Sequence, residues 1–141
     1  MGTQKILLPI SGKYHGERAQ KALDLAMKFI SGEVILLHAY EPLPALVGGG
    51  AHKELVNEAN KEALEILTPF RDWIAKAGFT CRTIAEEGMP AESIVRVAHE
   101  EKVDLIVMFT DGRDELSDWF LGSVSERVLR ASDIPMLILR R

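Results

Sequence analysis

Four short, nearly uninterrupted apolar runs recur along the chain, at residues 5–10, 33–38, 103–108 and 135–139. Apolar runs of this length without polar alternation are typical of β-strands that are covered on both faces, as in parallel sheets. A fifth segment, residues 79–85, alternates more and carries an arginine, and it is therefore predicted to lie at a sheet edge.

Between these runs the apolar residues recur at spacings of three and four, which predicts amphipathic helices. Pro69 falls inside the longest stripe, which keeps its phase across the proline and so predicts one kinked helix. Pro90 is placed as the first residue of a third helix. The order β-α-β-α-β-α-β-α-β over 141 residues predicts a single α/β domain, with a five-stranded parallel sheet and helices on both faces.

Composition and charge exclude several classes of protein. No apolar run approaches the roughly 20 residues of a membrane span. Seventeen basic against 21 acidic residues give a net charge of −4, where a nucleic-acid-binding surface would show a basic excess. The amino-terminal apolar run is shorter than the core of a signal peptide, and the lone Cys81 fits a reducing compartment. We therefore expect a cytoplasmic protein without a nucleic-acid or membrane partner.

The histidines and the cysteine do not suggest chemistry of their own. The four histidines and Cys81 lack the spacing of metal ligands, so no metal site is predicted. His38, near the end of the second strand, is expected to have its hydrogen bonds satisfied within the protein. Cys81 is expected to be a structural thiol, because no neighbour in the sequence would lower its pKa.

The segment from residue 107 to residue 126 carries the strongest functional signal. A buried strand leads into a loop, and Gly122-Ser123 then opens a helix. Two interpretations fit this pattern. The helix N-terminus, with a glycine in front of it, could bind a phosphate. Alternatively, Ser123 and Glu126 could form a capping box that satisfies the helix N-terminus internally.

The whole chain resembles the universal stress protein family. The similar segments are Lys5-Ile-Leu-Leu-Pro-Ile10, Leu36-Leu-His-Ala39, Gly88-Met-Pro-Ala-Glu-Ser-Ile94, Asp104-Leu-Ile-Val-Met108, Gly122-Ser-Val-Ser-Glu-Arg-Val-Leu129 and Ile134-Pro-Met-Leu-Ile138. The resemblance implies one universal stress protein domain over residues 1–141, with strand order 3-2-1-4-5 in a Rossmann-like, adenine nucleotide alpha hydrolase-like fold. It also implies a homodimer through the apolar final strand, residues 135–140.

The resemblance further implies an adenine-nucleotide site where the strand order reverses, between strands one and four. The base would be contacted by Ile10, Ser11 and Ala39, with Pro9 beside them. Met108 would lie under the base or the ribose. The phosphates would be held by Gly112, Arg113, Gly122, Ser123, Val124 and Ser125.

Three positions depart from the pattern of the nucleotide-binding members. Phe109 replaces the first glycine of their G-x-x-G, nine residues, G-[S/T] motif. Ser11 stands where the ATP-binding members usually have an aspartate facing the adenine, and Glu115 stands where they often have a glycine. A phenyl ring at position 109 would either fill the pocket or swing away from it.

The loop that follows the fourth strand is acidic. Its four carboxylates, on Asp111, Asp114, Glu115 and Asp118, outweigh Arg113 and would repel a nucleotide's phosphates. Either Arg113 pointing at the phosphates or a bridging Mg²⁺ would compensate this repulsion.

Three functions are compatible with these features. The first is a dimeric stress-response regulatory protein that binds ATP or another adenine nucleotide, with or without Mg²⁺. The second is a dimeric interaction module without a cofactor, whose site is occluded by Phe109. The third is a slow ATPase, for which Asp111 or Asp114 would be the nearby bases. No residue pair resembles a catalytic base beside a phosphate site, so no catalytic residue is assigned and an enzyme is not expected.

Overall fold

The computed structural model describes residues 4–11, 17–43, 49–110 and 122–140, and these ranges contain five strands and four helices that alternate along the chain. The strands are β1 (Gln4–Pro9), β2 (Gly32–Tyr40), β3 (Thr80–Glu87), β4 (Leu105–Thr110) and β5 (Met136–Arg140). The helices are α1 (Glu17–Ala26), α2 (Gly50–Lys76), α3 (Pro90–Glu100) and α4 (Ser123–Ala131). The predicted alternation of strands and helices is confirmed.

The strands form one parallel sheet in the order β3-β2-β1-β4-β5. This confirms the strand order implied by the family resemblance and the expectation that β3 lies at an edge. β5 forms the opposite edge. The order reverses between β1 and β4, so the loops that follow these two strands leave the sheet at the same end.

Helices cover both faces of the sheet, and alternate residues of each strand belong to two separate hydrophobic clusters. One cluster packs Leu7, Leu37 and Met108 against α3 and α4, and we call this side the α4 face. The other packs Ile6, Leu8 and Val107 against α1 and α2, and we call it the α2 face. Because both faces are buried, the strands need continuous apolar runs, which is why they are visible in the sequence.

The helix α2 is continuous through Pro69. Its buried residues, Ala63, Leu67, Phe70 and Ile74, keep one phase on both sides of the proline. The prediction of one helix rather than two is thus confirmed. None of the helices in the described ranges is both long and apolar enough to cross a bilayer.

An ion-pair network lies near the amino ends of β2 and β3. The Arg82 guanidinium donates from Nε to Glu33 Oε1 at 3.1 Å and from its terminal nitrogens to both Glu101 oxygens, at 3.2 and 2.6 Å. These bonds hold the pKa of the Glu101 carboxyl below its usual range, chiefly through the hydrogen bond from Arg82. Arg82 therefore links β3 to β2 and to the end of α3.

Candidate functional site

A crevice between β1 and β4 forms the centre of the candidate site. These two strands pair only at Ile6 with Leu105 and at Leu7 with Ile106. β1 nevertheless continues to Pro9, and β4 continues to Thr110. The pairing of the two central strands therefore ends before their carboxyl ends, where the strand order reverses, and parallel α/β sheets bind ligands at such a point.

The β1 side of the crevice begins where the ladder to β2 ends. Pro9 pairs with Leu37, and the Ile10 N–H donates to the Leu37 carbonyl at 2.8 Å. The Ile10 side chain is buried in the cluster of the α2 face, whereas the next residue, Ser11, is exposed. Ala39 is half-buried and is the position on β2 opposite Ser11 if the register continues. Pro9, Ser11 and Ala39 thus lie at the same end of the sheet, and the Ile10 side chain lies in the core.

His38 fixes the backbone at this strand end. Its Nδ1 lies 2.7 Å from the Ile10 carbonyl oxygen. Because a carbonyl only accepts, Nδ1 carries the proton and donates. The expectation of a strand-end histidine with its hydrogen bond satisfied is confirmed at Nδ1. Both backbone groups of Ile10 are therefore engaged within the protein.

The β4 side of the crevice carries the N-terminus of α4. The N-cap is Gly122, at φ 99° and ψ 144°, and its carbonyl accepts the Glu126 N–H at 3.0 Å. The capping-box interpretation is wrong, because it requires Ser123 as the N-cap, and Ser123 is the first helical residue. The N-cap thus has no side chain, and the first N–H groups of α4 carry the positive end of the helix dipole.

Gly122 lies directly against the end of β4. A β-carbon built on Gly122 would lie 3.2 Å from Thr110 Oγ1, which is tighter than ordinary van der Waals contact. Thr110 and Ser125 are buried, Val124 is half-buried against the cluster of the α4 face, and Ser123 is exposed. The α4 N-terminus is therefore held next to the crevice by close packing around a glycine.

Met108 and Phe109 point to opposite faces of β4. Met108 is buried in the cluster of the α4 face. Thr110, two residues further along β4, is also buried, and strand alternation places its side chain on the same face. Phe109 is half-buried and packs on the α2 face, against the cluster that contains Ile10 and Val107. Its ring is thus anchored on the side of the sheet away from α4.

Some of the predicted site residues lie outside the described ranges. They are Gly112 and Arg113, together with the acidic residues Asp111, Asp114, Glu115 and Asp118. The predictions for these residues stay predictions. Within the described ranges, no group of three or more histidine, cysteine or acidic side chains could hold a metal ion.

Two groups near the sheet have raised pKa values. Burial, and then the charges of Glu87 and Glu86, raise the pKa of Tyr40, whose hydroxyl donates to Asn60 Oδ1 at 2.7 Å. Burial raises the pKa of Cys81 to about 11, which agrees with a structural thiol. Neither group behaves as a nucleophile or a base near neutral pH.

Thr110 is the site residue that was missed from the sequence. Strand alternation from Met108 would have placed its side chain on the α4 face. Its contact with Gly122, across a long connecting segment, has no local signal in the sequence.

Comparison with known proteins identifies relatives over nearly the whole chain. The model of the universal stress protein family matches residues 2–140. Universal stress protein MJ0577 of Methanocaldococcus jannaschii is 31% identical over 98% of this chain and 95% of its own length. Its solved structure superposes with a TM-score of 0.76 at 33% identity, over 99% of this chain and 96% of that one.

Two further solved structures share the fold and contain a nucleotide. A universal stress protein in complex with cAMP has a TM-score of 0.72 at 23% identity, covering 98% of this chain and 97% of its own. A universal stress protein family protein of Arabidopsis thaliana with AMP bound has a TM-score of 0.69 at 16% identity, covering 98% and 92%.

Proposed function

Because the chain belongs to the universal stress protein family, we propose that it binds an adenine nucleotide in the crevice between β1 and β4 and acts as a stress-response regulatory module. The observation that carries this proposal is the N-terminus of α4, with the side-chain-free Gly122 as its N-cap beside the end of β4. The first N–H groups of a helix, which have no partner within the helix, and the positive end of its dipole suit a phosphate group.

The base would lie on the β1 and β2 side. Ser11 is exposed there, and Ala39 lies on β2 beyond the last hydrogen bond between β1 and β2, which joins the Ile10 N–H to the Leu37 carbonyl. A backbone N–H and a hydroxyl together can pair with the ring nitrogen and the amino group of adenine. Met108 supplies the apolar surface of the α4 face, and Ile10 supports the site from the core.

The phosphates would lie on the β4 and α4 side. Ser123, Val124 and Ser125 contribute the first N–H groups of α4. In this proposal Gly112 and Arg113 complete the phosphate contacts, and Mg²⁺ offsets the charge of the acidic loop when the ligand is ATP. The ligands of the two solved relatives, cAMP and AMP, support an adenine nucleotide as the class of ligand.

We propose binding rather than catalysis as the activity. His38, at the end of β2, is engaged with the Ile10 carbonyl through Nδ1, and the sequence offers no residue pair that resembles a catalytic base beside a phosphate site. Occlusion of the site by Phe109 gains no support from its placement, because the ring packs on the α2 face.

A homodimer through β5 is part of the proposal. β5 is an edge strand, and Met136, Leu137, Ile138 and Leu139 are only half-buried in the single chain. An apolar edge strand that exposes backbone donors and acceptors readily pairs with a second strand. We further propose a cytoplasmic location, on the ground of the lone cysteine.

Isothermal calorimetry and equilibrium dialysis with AMP, and with ATP and Mg²⁺, test the proposal. We expect saturable binding of one nucleotide per chain. No heat and no retention at millimolar nucleotide would overturn it. Mass spectrometry of small molecules released from freshly purified protein by denaturation is a second test that needs no assumption about the ligand.

A further inference from the structure

The contact between His38 and Ile10 has a consequence for the neighbouring backbone. We infer that His38 is a positioning residue that engages the Ile10 carbonyl and thereby leaves the Ala39 N–H open to the ligand's base. The inference deepens the proposed function and rests on it for the identity of the ligand. The backbone part of the inference stands on the geometry of β1 and β2 alone.

The register of the ladder shows which bond is displaced. In a parallel pair, every second residue directs both its N–H and its carbonyl to the same neighbouring strand. Leu37 is such a residue, since it pairs with Pro9 and its carbonyl accepts the Ile10 N–H at 2.8 Å. Ala39, two positions further along β2, therefore directs its N–H to the β1 side.

The next bond of a regular ladder would join the Ala39 N–H to the Ile10 carbonyl. That bond is absent from the described part of the chain, where the ladder ends at the Ile10 N–H. The Ile10 carbonyl instead lies 2.7 Å from His38 Nδ1. The Ile10 carbonyl is thus held by His38 Nδ1 and not by the Ala39 N–H.

The His38 and Ala39 side chains lie on opposite faces of the sheet. Strand alternation places it on the α2 face with Val34 and Leu36, which belong to that cluster. Ala39 alternates to the α4 face, where Leu37 and Met108 are buried. His38 therefore reaches the proposed ligand only through the backbone, as a positioning residue.

An open N–H at this place selects a class of partner. It donates to an acceptor in the plane of the sheet, such as a ring nitrogen of a flat heterocycle. Purine N1 is such an acceptor, whereas in the proposed arrangement the phosphates lie at the N-terminus of α4 and do not reach the Ala39 N–H. His38 should therefore matter for the base and not for the phosphates.

Two substitutions separate the role of Nδ1 from the bulk of the ring. His38→Asn places an amide nitrogen close to the position of Nδ1 and retains the donor. His38→Gln extends beyond that position, toward that of Nε2, and loses it. Thermal unfolding and the circular dichroism spectrum show whether both variants fold.

The first test needs no ligand. Amide hydrogen exchange of Ala39 is measured by NMR in the native chain and in both variants. We expect His38→Gln to slow the exchange of Ala39 by about tenfold, because the freed Ile10 carbonyl then accepts its N–H. The exchange in His38→Asn should match the native chain. Equal exchange rates in all three proteins would overturn the inference.

The second test uses AMP and ribose 5-phosphate as probes. We expect His38→Gln to weaken AMP binding by about tenfold, with ribose 5-phosphate unaffected and His38→Asn close to native. Equal losses for both probes, or in both variants, would overturn the role of His38 in base binding. Failure of the native chain to bind AMP would instead overturn the proposed function, while the exchange experiment would still decide the backbone role of His38.

Discussion

Gly122 lies so close to Thr110 that a β-carbon on Gly122 would be 3.2 Å from the Thr110 hydroxyl oxygen. This contact joins the end of β4 to the start of α4 and sets the distance between the crevice and the helix N-terminus. A glycine is favoured there for two reasons: the positive φ of 99°, and a close approach in which a β-carbon would force the Thr110 side chain to shift by a few tenths of an ångström.

We predict that Gly122→Ala weakens AMP binding by about tenfold or more and lowers the free energy of unfolding by about 1–3 kcal/mol. The strain of the positive φ accounts for the loss of stability, and the displaced helix N-terminus accounts for the loss of affinity. Calorimetric titration and chemical denaturation measure the two effects.

Gly78→Ala is the matched control for this experiment. Gly78 also has a positive φ, of 93°, but a β-carbon built there meets nothing within 4 Å. The residue lies just after the end of α2, away from the crevice. We expect a comparable loss of stability with AMP affinity within about twofold of native. Equal losses of affinity in the two variants would show that Gly122 has no specific part in binding.

Phe109→Ala should reduce stability without improving nucleotide binding. The ring is half-buried against the cluster of the α2 face, so its removal should cost roughly 1.5–3 kcal/mol, less than for a fully buried phenylalanine. The affinity for AMP should change little, because the ring does not lie on the α4 face. A large gain in AMP affinity, measured by calorimetry, would instead support the occluded-site alternative.

Glu101→Gln should change the pH dependence of stability. Arg82 lowers the pKa of Glu101 in the folded chain, so the carboxylate stabilises the fold above its unfolded pKa of about 4.3. That contribution is lost as the pH falls through the lower folded value. Urea denaturation should therefore show native protein more stable than Glu101→Gln at pH 7, with the difference shrinking below about pH 4.3. A difference that stays constant down to pH 3 would contradict this role of Glu101.

Ile138→Pro should prevent dimer formation through β5 without disrupting the pairing of β5 with β4. The Ile106 N–H donates to the Pro135 carbonyl, so the odd-numbered residues of β5 direct their backbone groups to β4. The Ile138 N–H therefore faces the open edge, where proline is tolerated in a strand. Sedimentation analysis should give a monomer for Ile138→Pro and a dimer for Ile138→Val, which keeps the N–H. A dimer in both variants would place the interface elsewhere.

The alternation of strands and helices could be predicted from the apolar pattern because both faces of the sheet are buried, whereas the strand order came from the resemblance to the universal stress protein family. β1, β2, β4 and β5 need apolar side chains at successive positions, and such runs are visible without knowledge of their neighbours. The start of α4 at Ser123 agrees with the sequence pattern, but the capping-box interpretation took Ser123 as the N-cap because serine and glutamate fit that motif on composition alone, whereas the N-cap is Gly122.

The expectation that Met108 and its neighbours form a nucleotide site came from the family resemblance, and it stays a prediction. Strand alternation adds that Met108 and Phe109 lie on opposite faces of β4, which the structure confirms. The contacts of His38 with Ile10 and of Gly122 with Thr110 join residues from separate strands and helices. They depend on the register between β1 and β2 and on the return of the chain to β4, which no single stretch of sequence encodes.

The ladder between β1 and β4 is short, with two residue pairs, and it joins the parts β3-β2-β1 and β4-β5 of the sheet. A molecule that contacts both Ala39 and the start of α4 would act as a cross-brace between these parts. Binding of such a molecule would restrict the motion of the two parts relative to each other, and with it the motion of β5, the strand proposed to pair with a second chain. By thermodynamic reciprocity, any preference of the occupied crevice for one arrangement of β5 would make association of two chains tighten or loosen the hold on the ligand by the same factor.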